Sequence, residues 1–229
     1  MRIINPDNWQ LHDIESIEVS AWQALKCKEN CSILAGPGSG KTELLAQKAS
    51  YLLETNICSI NQKILAISFK TDAAKNLEER LKKRCPDYAH RFVSMTFDAF
   101  TKNILDRFRL ALPENIRPNS QYEIVFGRLP VSHAEMGNYK ISSALNNDPI
   151  DKWVISQIRD SKLQFPLINR LAEYIICKNI YIQRALRQTY PFVFVDEFQD
   201  TTYLQYDFLK TVFNKPNIAV TAVGDPQQR

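Results

Sequence analysis

Residues 31–42 read CSILAGPGSGKT, and the way this run divides decides the fold. Ser32–Ala35 has the short, largely apolar character of a buried strand. Gly36, Gly38 and Gly40 follow within five residues, in a chain that holds only six glycines among 229 residues. From Thr42 to Glu54 the apolar residues Leu44, Leu45, Ala49, Leu52 and Leu53 recur at helical spacing. A chain so sparing of glycine has a backbone reason where three of them cluster. Glycines between a strand and a helix let successive N–H groups turn inward around an anion, and the positive end of the helix adds to the attraction. Gly36, Pro37, Gly38, Ser39, Gly40, Lys41 and Thr42 therefore form a candidate nucleotide cradle. Lys41 is placed to reach the β- and γ-phosphates as a point charge, and Thr42 to set its hydroxyl on Mg²⁺. Ala35 stands where the phosphate-loop pattern has its first glycine.

Outward from this run, strands and helices alternate. Residues 11–28 read as an amphipathic helix. Lys63–Ser68 reads as a second strand and Thr71–Arg84 as a helix started by Thr71 or Asp72. Arg91–Thr96 reads as a third strand and Asp98–Leu110 as another helix. The β-α-β-α-β-α order predicts a parallel sheet with helices on both faces, an α/β fold. The alternation stops near residue 111. Pro113, Pro118, Pro130 and Pro149 interrupt a stretch of little periodicity, and two helices are expected at Trp153–Leu163 and Leu167–Gln188. The sheet pattern then resumes with a strand at Phe192–Val195, a helix at Thr201–Phe213 and a strand at Asn217–Val223.

The resumed strands carry the second set of candidates. Phe192–Val195 ends in Asp196 and Glu197, and in open α/β sheets ligands bind at the carboxyl ends of the strands. Asp196 is placed to hold Mg²⁺ with Thr42, and Glu197 to polarise an attacking water. The last strand ends at Gly224 and runs into Asp225-Pro226-Gln227-Gln228, where Gln228 could sense a γ-phosphate by hydrogen bonding.

Bulk composition sets the outer limits. The chain is 45% hydrophobic and 24% charged, as in ordinary globular proteins. Five cysteines without paired CxxC spacing predict neither a disulfide framework nor a zinc site. With no signal peptide and no long apolar run, the chain reads as a cytoplasmic protein with no membrane partner. The net charge is +4, yet residues 63–109 hold eleven Lys/Arg against six Asp/Glu. That local excess suits a polyanionic partner.

Taken together, five segments resemble the superfamily 1 DNA helicases of the UvrD/Rep/PcrA type. They are AGPGSGKT at 35–42, AISFKTDAA at 66–74, TFDAF at 96–100, DEFQDT at 196–201 and VGDPQQ at 223–228. The resemblance implies a P-loop NTPase of RecA-like fold, built from residues 1–105 and 189–229, with an all-helical insertion at 106–188. It implies an ATP-dependent helicase or translocase that uses Mg²⁺ and moves on single-stranded DNA in repair, recombination or defence. Lys41, Glu197 and Gln228 become the catalytic candidates, with Thr42 and Asp196 on the metal. Ser68, Phe69, Lys70, Thr71, Thr96 and Phe97 become candidate DNA contacts, and Gln199 and Asp200 would couple the two sites. The side chains agree in kind: Phe69 offers a face for a base and Lys70 a phosphate contact.

Three departures accompany the resemblance. The family carries a Gln upstream of the phosphate loop that reads adenine, and the best register puts Ala21 there, with Gln23 two residues away. Asp98 stands where the family has His. The sequence reaches Arg229 inside the third helicase motif, so the expectation is a chain that binds ATP but, lacking a second RecA-like domain and its arginine finger, hydrolyses little and unwinds nothing. A nucleotide-binding switch or interaction module without motor activity is the alternative, and a nucleotide kinase a more distant one.

Overall fold

The computed structural model describes residues 3–36 and 38–225. In chain order the elements are α1 (Val19–Lys26), β1 (Cys31–Leu34), α2 (Lys41–Glu54), β2 (Ile64–Ser68), α3 (Thr71–Arg84), β3 (Phe92–Thr96), α4 (Phe97–Phe108), β4 (Glu123–Ile124), α5 (His133–Asn138), α6 (Pro149–Asp160), β5 (Lys162–Leu163), α7 (Phe165–Lys178), α8 (Ile180–Thr189), β6 (Phe192–Val195), α9 (Tyr203–Phe213) and β7 (Ala219–Gly224). They fall into two compact units. One comprises residues 1–96, 185–200 and 215–229, the other residues 97–184 and 201–214.

The first unit holds a five-stranded sheet in the order β1-β7-β6-β2-β3. Every pairing in it is parallel. Strand alternation sorts its side chains. Ile64, Ala66, Phe92, Phe192, Phe194 and Val223 join a core with Leu45, Ala49, Leu52, Leu77 and Leu81 from α2 and α3. Leu65, Ile67, Val193 and Val195 point to the other face and are buried as well. Burial on both faces explains why these strands read as continuous apolar runs rather than alternating ones. Each fully buried Leu or Ile contributes roughly 1.5–3 kcal/mol.

The helix expected over residues 11–28 is confined to Val19–Lys26. Upstream, Gln47 of α2 takes over the work of helical hydrogen bonds. Its Oε1 accepts from the His12 N–H at 3.0 Å and its Nε2 donates to the His12 carbonyl at 2.7 Å. Asp13 is left-handed at φ +54°, which helical backbone does not allow. The rest of α2 is buried nearly all round. Its polar groups find partners: Lys48 Nζ donates to the Ala24 carbonyl at 2.8 Å, and the Glu54 carboxylate accepts from Trp9 Nε1 at 2.6 Å.

The second unit is helical, with one short parallel pair, β4–β5. The helix expected over Leu167–Gln188 is two helices. Asn179 stops the first and starts the second, its Oδ1 accepting from the N–H groups of Tyr181 and Ile182 at 3.0 and 3.1 Å. α6 begins at Pro149 behind an Asp148 cap and ends at Asp160, three residues short of the expected Leu163, because the left-handed Ser161, φ +54°, closes it. Arg170 is 1% exposed and bonds Glu173, Asp207 and the Gly137 carbonyl. Among the described residues, no helix is long and apolar enough to cross a membrane.

Candidate functional site

The sheet of the first unit delivers the candidates to one edge, the carboxyl ends of β1, β7, β6 and β2. Beyond β1, the Ala35 N–H still bonds the Gly224 carbonyl at 3.2 Å, so the loop leaves from an anchored base. Gly38 and Gly40 have φ of +72° and +78°. A Cβ at either would meet nothing within 4 Å. It is therefore conformation, not crowding, that requires glycine there. Gly40 caps α2 with no side-chain hydrogen bond, leaving the first amides of the helix uncapped by any side chain. That end carries the positive pole of the helix dipole. Pro37 lies outside the described residues.

Lys41 lies beneath this loop. Its Nζ donates to the carbonyls of Ala35 at 2.9 Å and Gly36 at 3.2 Å and stands 3.8 Å from Asp225 Oδ2. Asp225 follows β7 and is 1% exposed. Asp225 lies within the VGDPQQ segment without a role assigned from sequence; its signal there is an acid directly after an apolar strand. Gln228 lies outside the described residues.

The acid turn follows β6. The Asp196 N–H bonds the Ile67 carbonyl at 2.9 Å, continuing the β2–β6 ladder one residue past the strand. Asp196 is 2% exposed, and burial, reinforced by the charge of Glu197, holds its carboxyl above the ordinary range despite the pull of Lys41. Glu197 is left-handed at φ +52°. Such strain persists only where surroundings enforce it, and it is common at functional sites. Here the Glu197 N–H donates to Asp196 Oδ1 at 3.0 Å and the Glu197 carbonyl accepts from the Asp200 N–H at 2.9 Å, while the side chain is held by Gln199. Its Nε2 donates to Glu197 Oε2 at 2.6 Å, and its Oε1 accepts from the Asp225 N–H at 2.9 Å. A Cβ on Gly224 would sit 3.0 Å from Gln199 Oε1, so glycine at 224 gives this bridge its room. One side chain thus ties the acid after β6 to the loop after β7.

The ends of β2 and β3 separate the proposed DNA contacts. Lys70 and Thr71 are exposed, and Phe69 and Thr96 are partly so. Lys70 Nζ lies 2.8 Å from Asp200 Oδ2, and this bond and charge raise the lysine's pKa. Ser68 is fully buried, and Phe97 is 1% exposed, packed edge-on against Phe208 at 5.1 Å. The structure brings neither of these two side chains to a surface. Asp98 is shielded: burial raises its carboxyl above the usual range, against a hydrogen bond from Asn169. Of the basic run in α3, Arg80 and Arg84 are engaged by Glu43, Arg84 also by Asp13, and Lys82 by Glu78. These arginines brace α3 against the start of α2.

A family model described as UvrD/REP helicase N-terminal domain matches residues 17–125 and 157–229. This chain belongs to that family. Over 86% of its length it is 30% identical to a protein of Mycoplasma capricolum named "Probable DNA helicase II homolog", of which it covers 32%. It is 26% identical, over 86% of its length, to the ATP-dependent DNA helicase PcrA of Staphylococcus aureus, covering 31% of that protein. A Mycoplasma pneumoniae protein named "Probable DNA helicase" is 25% identical over 90% of the chain and 45% covered. The chain spans less than half the length of each of these relatives. The RecA-like expectation for the parallel sheet and its flanking helices holds, and the helicase family is the one the five motifs pointed to.

Proposed function

We propose that this chain is the ATP-binding motor domain of an ATP-dependent DNA helicase or translocase that acts on single-stranded DNA. The observation that carries the proposal is the convergence at one sheet edge of Lys41, the buried Asp196 and the Gln199-held Glu197. In the functional division proposed here, residues 1–105 and 189–229 serve nucleotide binding and 106–188 form the inserted helical part. A cytoplasmic location and a role in repair, recombination or defence belong to the same proposal.

The donor set fits a hard cation. Thr42 supplies a hydroxyl and Asp196 a buried carboxylate, while no cluster of three or more His, Cys, Asp or Glu side chains among the described residues could cage an ion alone. Mg²⁺ suits such a place, because it is held by one or two protein oxygens together with substrate phosphates and water. When bound, it would neutralise charge developing on the phosphates. The chain's own residues do the rest. Lys41 exchanges the carbonyls of Ala35 and Gly36 for phosphate oxygens. Gln199 occupies Glu197 Oε2, which leaves Oε1 to accept a proton from the attacking water. Phe69, Lys70, Thr71 and Thr96 form the DNA track, and Gln199 with Asp200 links it to the acid turn.

The test is ATP turnover with and without single-stranded DNA, in a protein of the relatives' length that contains this chain. Glu197→Gln should lower turnover by about 10²–10⁴-fold, the range for a general base, with nucleotide binding retained. Unchanged turnover would remove Glu197 from the mechanism. Binding of single-stranded DNA should weaken as salt rises, because phosphate contacts release counterions.

A further inference from the structure

Ser68 is fully buried, and its Oγ has no hydrogen-bond partner among the described residues. A buried hydroxyl without a partner is uncommon and calls for a reason. The register supplies one. β2 and β6 pair as Ile64↔Phe192, Ala66↔Phe194 and Ile67↔Val195. The Asp196 N–H to Ile67 carbonyl bond extends that pairing, so Ser68 stands opposite Asp196. Alternation sets both on the same face. Ile64 and Ala66 precede Ser68, and Phe192 and Phe194 precede Asp196, on the face that packs against α2. That is the side of the helix begun by Lys41, whose charge acts on Asp196.

We infer that Ser68 is the positioning residue of the Asp196 carboxylate: when nucleotide and its divalent cation engage Asp196, the Ser68 hydroxyl donates to one carboxylate oxygen and orients the other toward the ion. The inference rests on the nucleotide-site reading above. It moves Ser68 from the DNA track, where family resemblance put it, to the ATP site. A hydroxyl sealed from solvent cannot reach a nucleic acid phosphate, but it can reach its neighbour across the strand. Outer partners of this kind change metal affinity by about 10–100-fold when removed.

The experiment is an equilibrium titration of this chain with a fluorescent ADP, in Mg²⁺ and in EDTA, for the unaltered protein, Ser68→Ala and Ser68→Thr. Thermal melts of the free proteins and titrations with a single-stranded oligonucleotide accompany it. Ser68→Ala should lose about tenfold in the Mg²⁺-dependent part of the affinity, keep its affinity in EDTA and its affinity for DNA, and melt no lower. Ser68→Thr, which restores a hydroxyl, should recover the loss. Equal Mg²⁺-dependent affinities for Ser68→Ala and the unaltered chain would overturn the inference and leave the nucleotide site standing. A loss confined to DNA affinity would overturn it in favour of the DNA track. Absence of any Mg²⁺-dependent binding by the unaltered chain would bring down the nucleotide-site reading, and this inference with it.

Discussion

The two units bury acids in opposite ways. In the helical unit, burial alone would raise the Asp207 carboxyl, but hydrogen bonds from Lys140 and Arg170 outweigh it and hold the group below its ordinary range. Arg170 in turn engages Glu173, and Lys140 bonds both acids. In the sheet unit, Asp196 is buried with the charge of Glu197 beside it, and its carboxyl is held above the ordinary range. The helical cluster gives each of its acids a cation. At the strand end, the Glu197 N–H on Asp196 Oδ1 and the pull of Lys41 do not outweigh burial and the charge of Glu197. Compensated buried charge specifies packing. Uncompensated buried charge beside a phosphate loop marks a place for a ligand.

That contrast can be broken by substitution. Arg170→Met takes from Glu173 its buried partner, leaving it only the half-exposed Lys140, and takes from the Gly137 carbonyl its donor; it should cost about 3–5 kcal/mol, lowering the melting temperature by roughly 6–20 °C. Asp196→Asn should do the reverse in the free protein, leaving the melting temperature unchanged or higher, while Mg²⁺-dependent nucleotide binding is lost. If both variants destabilise alike in thermal melts, the distinction between the two acid clusters fails. A smaller effect is expected at the exposed Lys70–Asp200 pair. Asp200→Asn frees Lys70 for phosphate and should tighten single-stranded DNA binding by up to about fivefold, since exposed pairs are worth about 0–1 kcal/mol. Weaker DNA binding in that variant would remove Lys70 from the track.

The smallest effect concerns His12, which Glu54 accepts as a partner at 2.8 Å. That hydrogen bond raises the imidazole's pKa, with the charges of Glu54 and Asp13 adding to it against burial and Arg84. A raised folded-state value means stabilisation that is complete below the unfolded histidine value and lost as pH climbs through the folded one. Chemical denaturation of the unaltered chain should therefore show stability falling as pH rises through and above the ordinary histidine range. His12→Gln should flatten that dependence, and an unchanged slope would deny the pair a role.

The sheet unit was legible from sequence because its signals are local. Strand, glycine turn and helix sit within 24 residues from Cys31 to Glu54, and the acids close β6 directly. The start of the chain departs from its helical period for a long-range reason: Gln47 captures the backbone of His12 and forestalls the helix. In the helical unit a single Asn179 outweighed the apolar period of Leu167–Gln188 by capping a new helix. Site residues followed the same division. Backbone-driven positions such as Gly38 and Gly40 could be read from type and spacing. The Gln199 bridge to Asp225 and the burial of Ser68 and Phe97 depend on which strands are neighbours, and order along the chain does not give β1-β7-β6-β2-β3.

The central claim is that this sheet edge binds a nucleoside triphosphate through Lys41. The most direct measurement is equilibrium titration of the chain with a fluorescent ATP analogue in Mg²⁺, alongside Lys41→Ala. The unaltered chain should bind, and Lys41→Ala should weaken binding by at least about tenfold, as expected from losing a charge-assisted phosphate contact of about 1.5–3 kcal/mol, measured at a temperature where melts show both proteins folded. Equal affinities for the two proteins would contradict the account.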